Sequence, residues 1–329
     1  MSSKDVVSNS YMANSRHFAD AFNFFLYQGK QVIKPDDLMS EDSVEEAIIH
    51  KYDKVLTSKK IRDVFKGVQI KTDGNAVYAL LGIENQSDIH YAMPVRNLFY
   101  DALDYASQVA TKSKENRKGK RLRSGSEFLS GYTKEDKVKP VITLVINWSK
   151  NMWDGPTRLS EMIGSVDENL VKYINDYTIN LIDPHNIDDF EKFHTELGDV
   201  LNFIKVQNDK EYLNLLRKQK GDNWKLDVDS VIAINTFTGA KIRIDEAEGG
   251  MVDMCEAIKG LIEEGKIEGI KEGIKEGKKE GIKEGESYIN RLNSILLDAE
   301  RLDDLAKATK DHEYQKKLIR ELVDENYNG

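Results

Sequence analysis

Residues 78–86 alternate in a way that separates two faces. Val77, Ala79, Leu81 and Ile83 fall on one side, Glu84 and Gln86 on the other. A period of two predicts a β-strand with one face in a core. At a hairpin-like distance before it, Ile61-Arg62-Asp63-Val64-Phe65 reads as a first short strand. Each strand lifts a carboxylate out of an apolar run. A third run, Val141-Ile142-Thr143-Leu144-Val145-Ile146, is nearly all apolar, which predicts a strand buried on both faces at the centre of a mixed or parallel sheet.

Between these strands the period changes to that of a helix. Pro94 stands where a first-turn proline is tolerated, and Val95, Leu98, Phe99, Ala102, Leu103, Ala106 and Val109 form one stripe, predicted to pack on the sheet. Arg96 and Tyr100 lie one turn apart off that stripe, close in sequence to the acids. They are candidates to bind a phosphate, the alternative for Arg96 being a surface pair with Asp101 or Asp104. Residues 16–25 also have helical spacing, with Asp20 near the start, where the helix dipole favours an acid. Helices and a mixed sheet together predict an α/β core.

After residue 165 the pattern is mainly helical. Helices are expected at 190–205, at 210–218, at 230–238 with Gly239 as C-terminal cap, and at 251–264; residues 241–244 alternate like a strand. Trp153-Asp154-Gly155-Pro156 reads as a turn, and His90, His185 and His194 have no ligand-like or triad-like spacing. From 265 to 285 glycine recurs every fourth residue, a period that drifts about 40° per repeat around a helix and encodes no fixed seam. A fraying charged helix or a spacer is expected there. The tail reads as short amphipathic helices carrying Leu292, Ile295, Leu296, Leu302, Leu305, Leu318, Ile319 and Leu322, packed on themselves or on another copy in a homo-oligomer. The expected organisation is a core at 1–165, a helical extension at 166–264, the glycine repeat at 265–286 and a small helical tail at 287–329.

Composition narrows the chemistry. The single cysteine, Cys255, rules out a disulfide framework and a cysteine zinc cluster. No basic-then-apolar leader and no apolar run of membrane-spanning length is present, so no membrane partner is expected and the cytoplasm is the expected compartment. The net charge of −9 argues against nucleic acid only if charge is spread evenly. It is not: Lys112, Lys114, Arg117, Lys118, Lys120, Arg121 and Arg123 face Glu115 alone in 112–124. That stretch reads as a loop, either a phosphate-gripping flap beside the site or a solvated segment. A carboxylate beside apolar surface is costly unless paired, hydrogen-bonded or metal-bound. Asp63, Glu84 and the Asn85 carbonyl supply oxygens of the kind a hard cation such as Mg2+ takes.

Longer words surround these acids: GIENQSDIHYAMPVRNLFYDALDYASQV at 82–109, EFLSGYTKEDKVKPVITLVINW at 127–148, WDGPTRL at 153–159, NTFTGAKI at 235–242 and MVDMCEAIKGLIEEG at 251–265. They resemble the recombination-promoting nuclease (Rpn) and transposase family of the PD-(D/E)XK nuclease superfamily, most strongly over residues 14–165. The resemblance implies a restriction-endonuclease-like core, a mixed sheet flanked by helices, and a metal-dependent DNA endonuclease tied to recombination or mobile DNA. In it Asp63 matches the first acid, with Arg62 where the family has proline, and Glu84-Asn85-Gln86 matches the (D/E)XK motif with glutamine for lysine. Asp63, Glu84 and Gln86 would be catalytic, with Mg2+ or Mn2+ on Asp63, Glu84 and Asn85, and Asp20 as a further acid from the first helix. Such an ion would lower the pKa of a bound water and neutralise phosphate charge. Gln86, being neutral, can only orient the water or a phosphate oxygen. The other reading is a catalytically weakened DNA-binding or oligomerising protein on the same fold, which Gln86 and Arg62 favour.

Overall fold

The computed structural model describes residues 2–40, 63–72, 75–165, 167–207, 209–221, 223–245, 247 and 249–327. Ile61 and Arg62, the start of the first expected strand and the position of the missing proline, lie outside them. Two compact units are found, 1–259 and 260–329. The first does not divide near residue 165.

Unit one opens with helices α1 (Ser3–Ala13) and α2 (Ser15–Tyr27). Ser2 and Asp5 start α1 by bonding reciprocally to each other's backbone N–H, which satisfies donors the first turn leaves open. A mixed sheet follows in the order β1 (Leu38–Ser40), β2 (Val64–Thr72), β3 (Asn75–Gln86), β4 (Val141–Asn147), β5 (Asn180–Ile182). The first three strands are antiparallel; β4 joins β3 in parallel, and β5 joins β4 the same way. The parallel step needs a crossover, supplied by α3 (Met93–Lys118) and the short α4 (Gly125–Ser130). An α/β fold with a mixed sheet flanked by helices was the expected class, and β4 is buried almost throughout, as its apolar run predicted.

β3 departs from the expected half-polar strand. It is third of five and covered on both sides, so Glu84 is 0% exposed and Gln86 is buried as well. The expected inward stripe of α3 is inverted. Val95, Leu98, Phe99 and Val109 are 37–45% exposed and Ala102 and Ala106 are exposed too, whereas Met93, Asn97, Asp101 and Ser107 face in. Asp101 holds that polar face to the sheet: it accepts from Thr143 Oγ1 at 2.7 Å and from Tyr177 Oη at 2.6 Å. Those fixed partners remove the desolvation cost that made an apolar interface the natural expectation.

The remaining helices of unit one are α5 (Glu168–Val171), α6 (Leu197–Val206), α7 (Lys210–Lys220) and α8 (Val228–Thr238), with a hairpin of β6 (Lys225–Asp227) and β7 (Met251–Asp253). Helix α6 starts at 197 and not 190, because residues 190–192 form a separate short turn. Residues 241–244 form no strand: the Asn235 side chain bonds both the N–H and the C=O of Ile242 and so takes up the groups a ladder would use. Gly239 adopts φ +73° at the end of α8, the left-handed cap expected of it. Trp148, stacked on Phe237 at 4.8 Å, ties α8 to the end of β4.

Helix α9 (Met254–Asp298) carries the whole glycine repeat as continuous helix. Open space lies where a Cβ would stand at Gly269, Gly273, Gly277, Gly281 and Gly285, so packing does not require glycine there. In unit two, α9 is followed by α10 (Leu302–Ala308) and α11 (His312–Leu322). Leu292, Leu296, Ala308, Leu318 and Ile319 close a small core with Tyr288, Leu305, Tyr314 and Leu322 around it, whereas Leu302 is exposed. Among the described residues no helix is long and apolar enough to cross a membrane.

Candidate active site

The ends of β2 and β3 face a cleft of about 350 Å3 lined by Asp63, Asn85, Gln86, His90 and Arg96, with Asp5 and the 87–89 turn. Its geometry starts from strand register. The last β2–β3 pair is Val64 with Ile83, so the ladder sets Asp63, one residue beyond, across from Glu84. Asp63 Oδ2 accepts the Asn85 N–H at 2.8 Å. The N–H and C=O of one strand residue point to the same edge, so the Asn85 carbonyl is directed toward the end of β2, where Asp63 stands. Gln86 uses the opposite edge, its carbonyl accepting from Trp148 N–H at 2.8 Å.

A chain of amides locks this corner. Asn9 of α1 donates to Asp63 Oδ1 at 3.2 Å and accepts from Asn85 Nδ2 at 3.0 Å; Asn85 Oδ1 accepts from Trp148 Nε1 at 2.8 Å. Burial pushes the Asp63 carboxyl above its ordinary range, opposed by the Asn85 N–H, the Asn9 amide and the Arg96 charge. Arg96 Nη2 lies 3.1 Å from Glu84 Oε2, and Arg96 Nε donates to Tyr100 Oη at 3.1 Å. Burial opposes the Arg96 charge, yet Glu84, Tyr100 and Asp63 outweigh it and raise the pKa. The partner of Arg96 is therefore Glu84, not Asp101 or Asp104.

Three sequence expectations change. Asp20 is not a cleft residue. It is 1% exposed on α2, and its carboxylate accepts from His194 N–H, Thr195 N–H and Thr195 Oγ1 at 2.6–3.0 Å, which fixes the chain entering α6. The first-helix residues at the cleft are instead Asp5 and Asn9, four apart and so on one face of α1. Asp5 accepts from Ser87 Oγ at 3.4 Å, and its pKa is lowered, chiefly by the Ser2 N–H. The Ser2–Asp5 start signal was readable in sequence; its place beside Asp63 was not.

Second, the basic stretch is no loop beside the site. Lys112, Lys114, Arg117 and Lys118 end α3, and Lys120, Arg121 and Arg123 form an ordered turn into α4. Arg117 lies 21 residues along α3 from Arg96, about 30 Å at 1.5 Å per residue. Arg117 also donates to the Phe128 carbonyl at 2.9 Å. Third, His90, without a role by spacing, lines the cleft. Asp154 of the 153–156 turn accepts from Tyr91 Oη at 3.4 Å.

Away from the cleft, ligand-type atoms of His17, Glu196 and Asp227 lie within 4.8 Å of one another. Asp227 accepts from Ser230 N–H at the start of α8 and His17 Nδ1 meets the Tyr11 carbonyl at 3.1 Å, while Glu196 Oε2 lies 3.6 Å from both Arg16 Nη2 and His17 Nε2.

The arrangement defines a class of site: one strand-end acid, Asp63, lines an open cleft with Asn85 and Arg96, and a second, Glu84, is fully buried against the Arg96 guanidinium. No protein-family model, curated protein or solved structure matches the chain.

Proposed function

We propose that this protein hydrolyses nucleic-acid phosphodiester bonds with a divalent cation in the Asp63–Glu84 cleft, acting as a DNA endonuclease. The observation that carries this reading is the corner itself: Asp63 bonded to the Asn85 N–H at 2.8 Å, across from Glu84, with Arg96 beside both acids. The donor set is made of carboxylate and carbonyl oxygens, the type a hard cation takes; Asp63 and Asn85 line the open cleft, and Glu84 lies buried across from Asp63. Bound there, Mg2+ or Mn2+ would supply an activated water and neutralise phosphate charge. The resemblance to Rpn nucleases supports DNA as substrate and a link to recombination or mobile elements.

The protein's own groups do the rest. Asn9 and the Asn85 N–H hold Asp63 in one orientation, so little reorganisation is left for the reaction. Arg96, which reaches the cleft, keeps the charge of the fully buried Glu84 compensated. A cation held there would take over that compensation, and the guanidinium fork would then be free to grip a phosphate oxygen. The Gln86 amide orients a water by hydrogen bonding and carries no charge of its own.

A second reading, DNA binding with weak or no turnover, draws on the Arg96–Glu84 pair, which sets an internal cation on one of the proposed ligands, and on Gln86. Nicking of supercoiled plasmid in Mg2+ or Mn2+ separates the two. Hydrolysis by the wild type, lost in Asp63→Ala and Glu84→Ala, supports the endonuclease; equal traces from all three proteins would leave only binding.

A further inference from the structure

Helix α3 carries an apolar stripe on its outer face. Val95, Leu98, Phe99, Ala102, Ala106 and Val109 cover four turns opposite the polar face that packs on the sheet. Continuous exposed apolar surface of this kind marks an interaction site. Its occupant can be read from spacing and charge. Val95 and Val109 lie seven residues either side of Ala102, and Leu98 and Ala106 lie four either side. A stripe symmetric about its own midpoint is complementary to itself, as an isologous two-fold contact requires. The alanines at its centre let two helix axes approach to about 8–10 Å.

Charge selects the direction. A parallel pair would set Lys114, Arg117 and Lys118 against the same cations of the other copy; Lys112 is paired within its own chain with Glu115 and Asp136. An antiparallel pair sets those three cations against the start of the other α3, where the cleft wall carries three acids, Asp5, Asp63 and Asp88, against one cation, Arg96, itself paired with Glu84. Opposite charges across an interface fix its register. The ends match in apolarity as well. Phe128 and Leu129, exposed by 57% and 87%, sit beside the basic end through the Arg117 bond to Phe128, and Tyr91, exposed by 61%, sits at the other end.

From this we infer that two copies of the chain pair through α3, antiparallel about Ala102, so that each copy's basic helix end lies at the other's cleft. Because α3 begins at Met93, which pairs with the partner's Thr111, the partner's Lys112–Lys118 segment runs past that helix start, toward the 87–90 turn that lines the cleft. Cations about 30 Å from their own site thereby flank the second one. Their use as phosphate contacts rests on the nuclease reading; the pairing does not.

The test is carried out on the full chain. Sedimentation velocity at micromolar concentration should show a wild-type dimer that Phe99→Glu converts to monomer with unchanged circular dichroism. Under mild oxidation Ala102→Cys, at the two-fold axis, should give interchain disulfides, whereas Lys150→Cys on the exposed surface should not. A wild-type monomer, or a dimer that survives Phe99→Glu and leaves Ala102→Cys uncrosslinked, overturns the pairing. For the phosphate role, the Asp63→Ala chain is mixed with the triple variant Lys114→Glu, Arg117→Glu, Lys118→Glu. One mixed dimer then holds an intact cleft facing intact cations, so plasmid nicking should return; no return overturns that role. A wild type that dimerises but never nicks sinks the nuclease reading alone.

Discussion

Asp20 and Asp63 are both carboxylates withdrawn from water in unit one, and their surroundings differ in the respect on which the roles proposed for them rest. Asp20 is saturated: two backbone N–H groups and the Thr195 hydroxyl converge on its oxygens, and α6 begins from that bonding. Asp63 takes one backbone N–H and one amide, and it lines an open cleft together with Arg96, which pairs with the buried Glu84. Burial alone therefore does not mark a metal or catalytic acid. What marks one is lone-pair capacity left over where solvent and substrate can enter.

The largest effect expected from this contrast is on activity. Asp63→Ala or Glu84→Ala should lower plasmid nicking by about a thousandfold or more, the scale of losing a preorganised charge at a reaction centre, whereas Asp20→Asn, in protein that stays folded, should change it little. Loss of nicking in Asp20→Asn equal to that in Asp63→Ala would erase the distinction. Stability should show the reverse order. Asp20→Ala leaves buried donors without partners and should cost roughly 3–5 kcal/mol in urea unfolding. A cost near zero would mean the carboxylate does not organise the start of α6.

Asn9→Ala sharpens the comparison at smaller scale. It removes one bond to Asp63 and one to Asn85, and should cost about 1 kcal/mol of stability and roughly tenfold in turnover, a factor equal to about 1.4 kcal/mol. Unchanged turnover would show that the Asn85 N–H alone positions Asp63. The smallest effect is on pH dependence in chelated protein. The folded-state pKa of Asp63 is raised by burial, so between its unfolded value and that raised value the folded state binds the extra proton. Its contribution to stability is then greatest below the unfolded pKa and falls as pH rises through the folded one. Asp63→Asn should thus gain stability over wild type at neutral pH, the gain shrinking toward pH 4. A gain that grew in acid would contradict a raised pKa.

Much of this site was legible from sequence, and the limits are physical. Alternation in β3 located Glu84 and Gln86, and the apolar run of 141–146 located the strand that buries them. It did not show that both faces of β3 are covered, because strand order is set by long-range pairing. The stripe of α3 was read correctly as a stripe and assigned to the wrong side. Its inward face is stabilised by Asp101 bonding to Thr143 and Tyr177, partners 42 and 76 residues away that no local pattern reveals. Asn9 and Asp5 went unseen for the same reason: α1 meets the cleft only in the folded chain.

The most direct test of the contrast between the two acids is Mn2+ binding followed by electron paramagnetic resonance, in wild type, Asp63→Ala and Asp20→Asn. A bound-ion signal present in wild type and Asp20→Asn but absent from Asp63→Ala is the predicted result. A signal that persists in Asp63→Ala, or vanishes equally in folded Asp20→Asn, would contradict the assignment of the cation to the Asp63–Glu84 cleft.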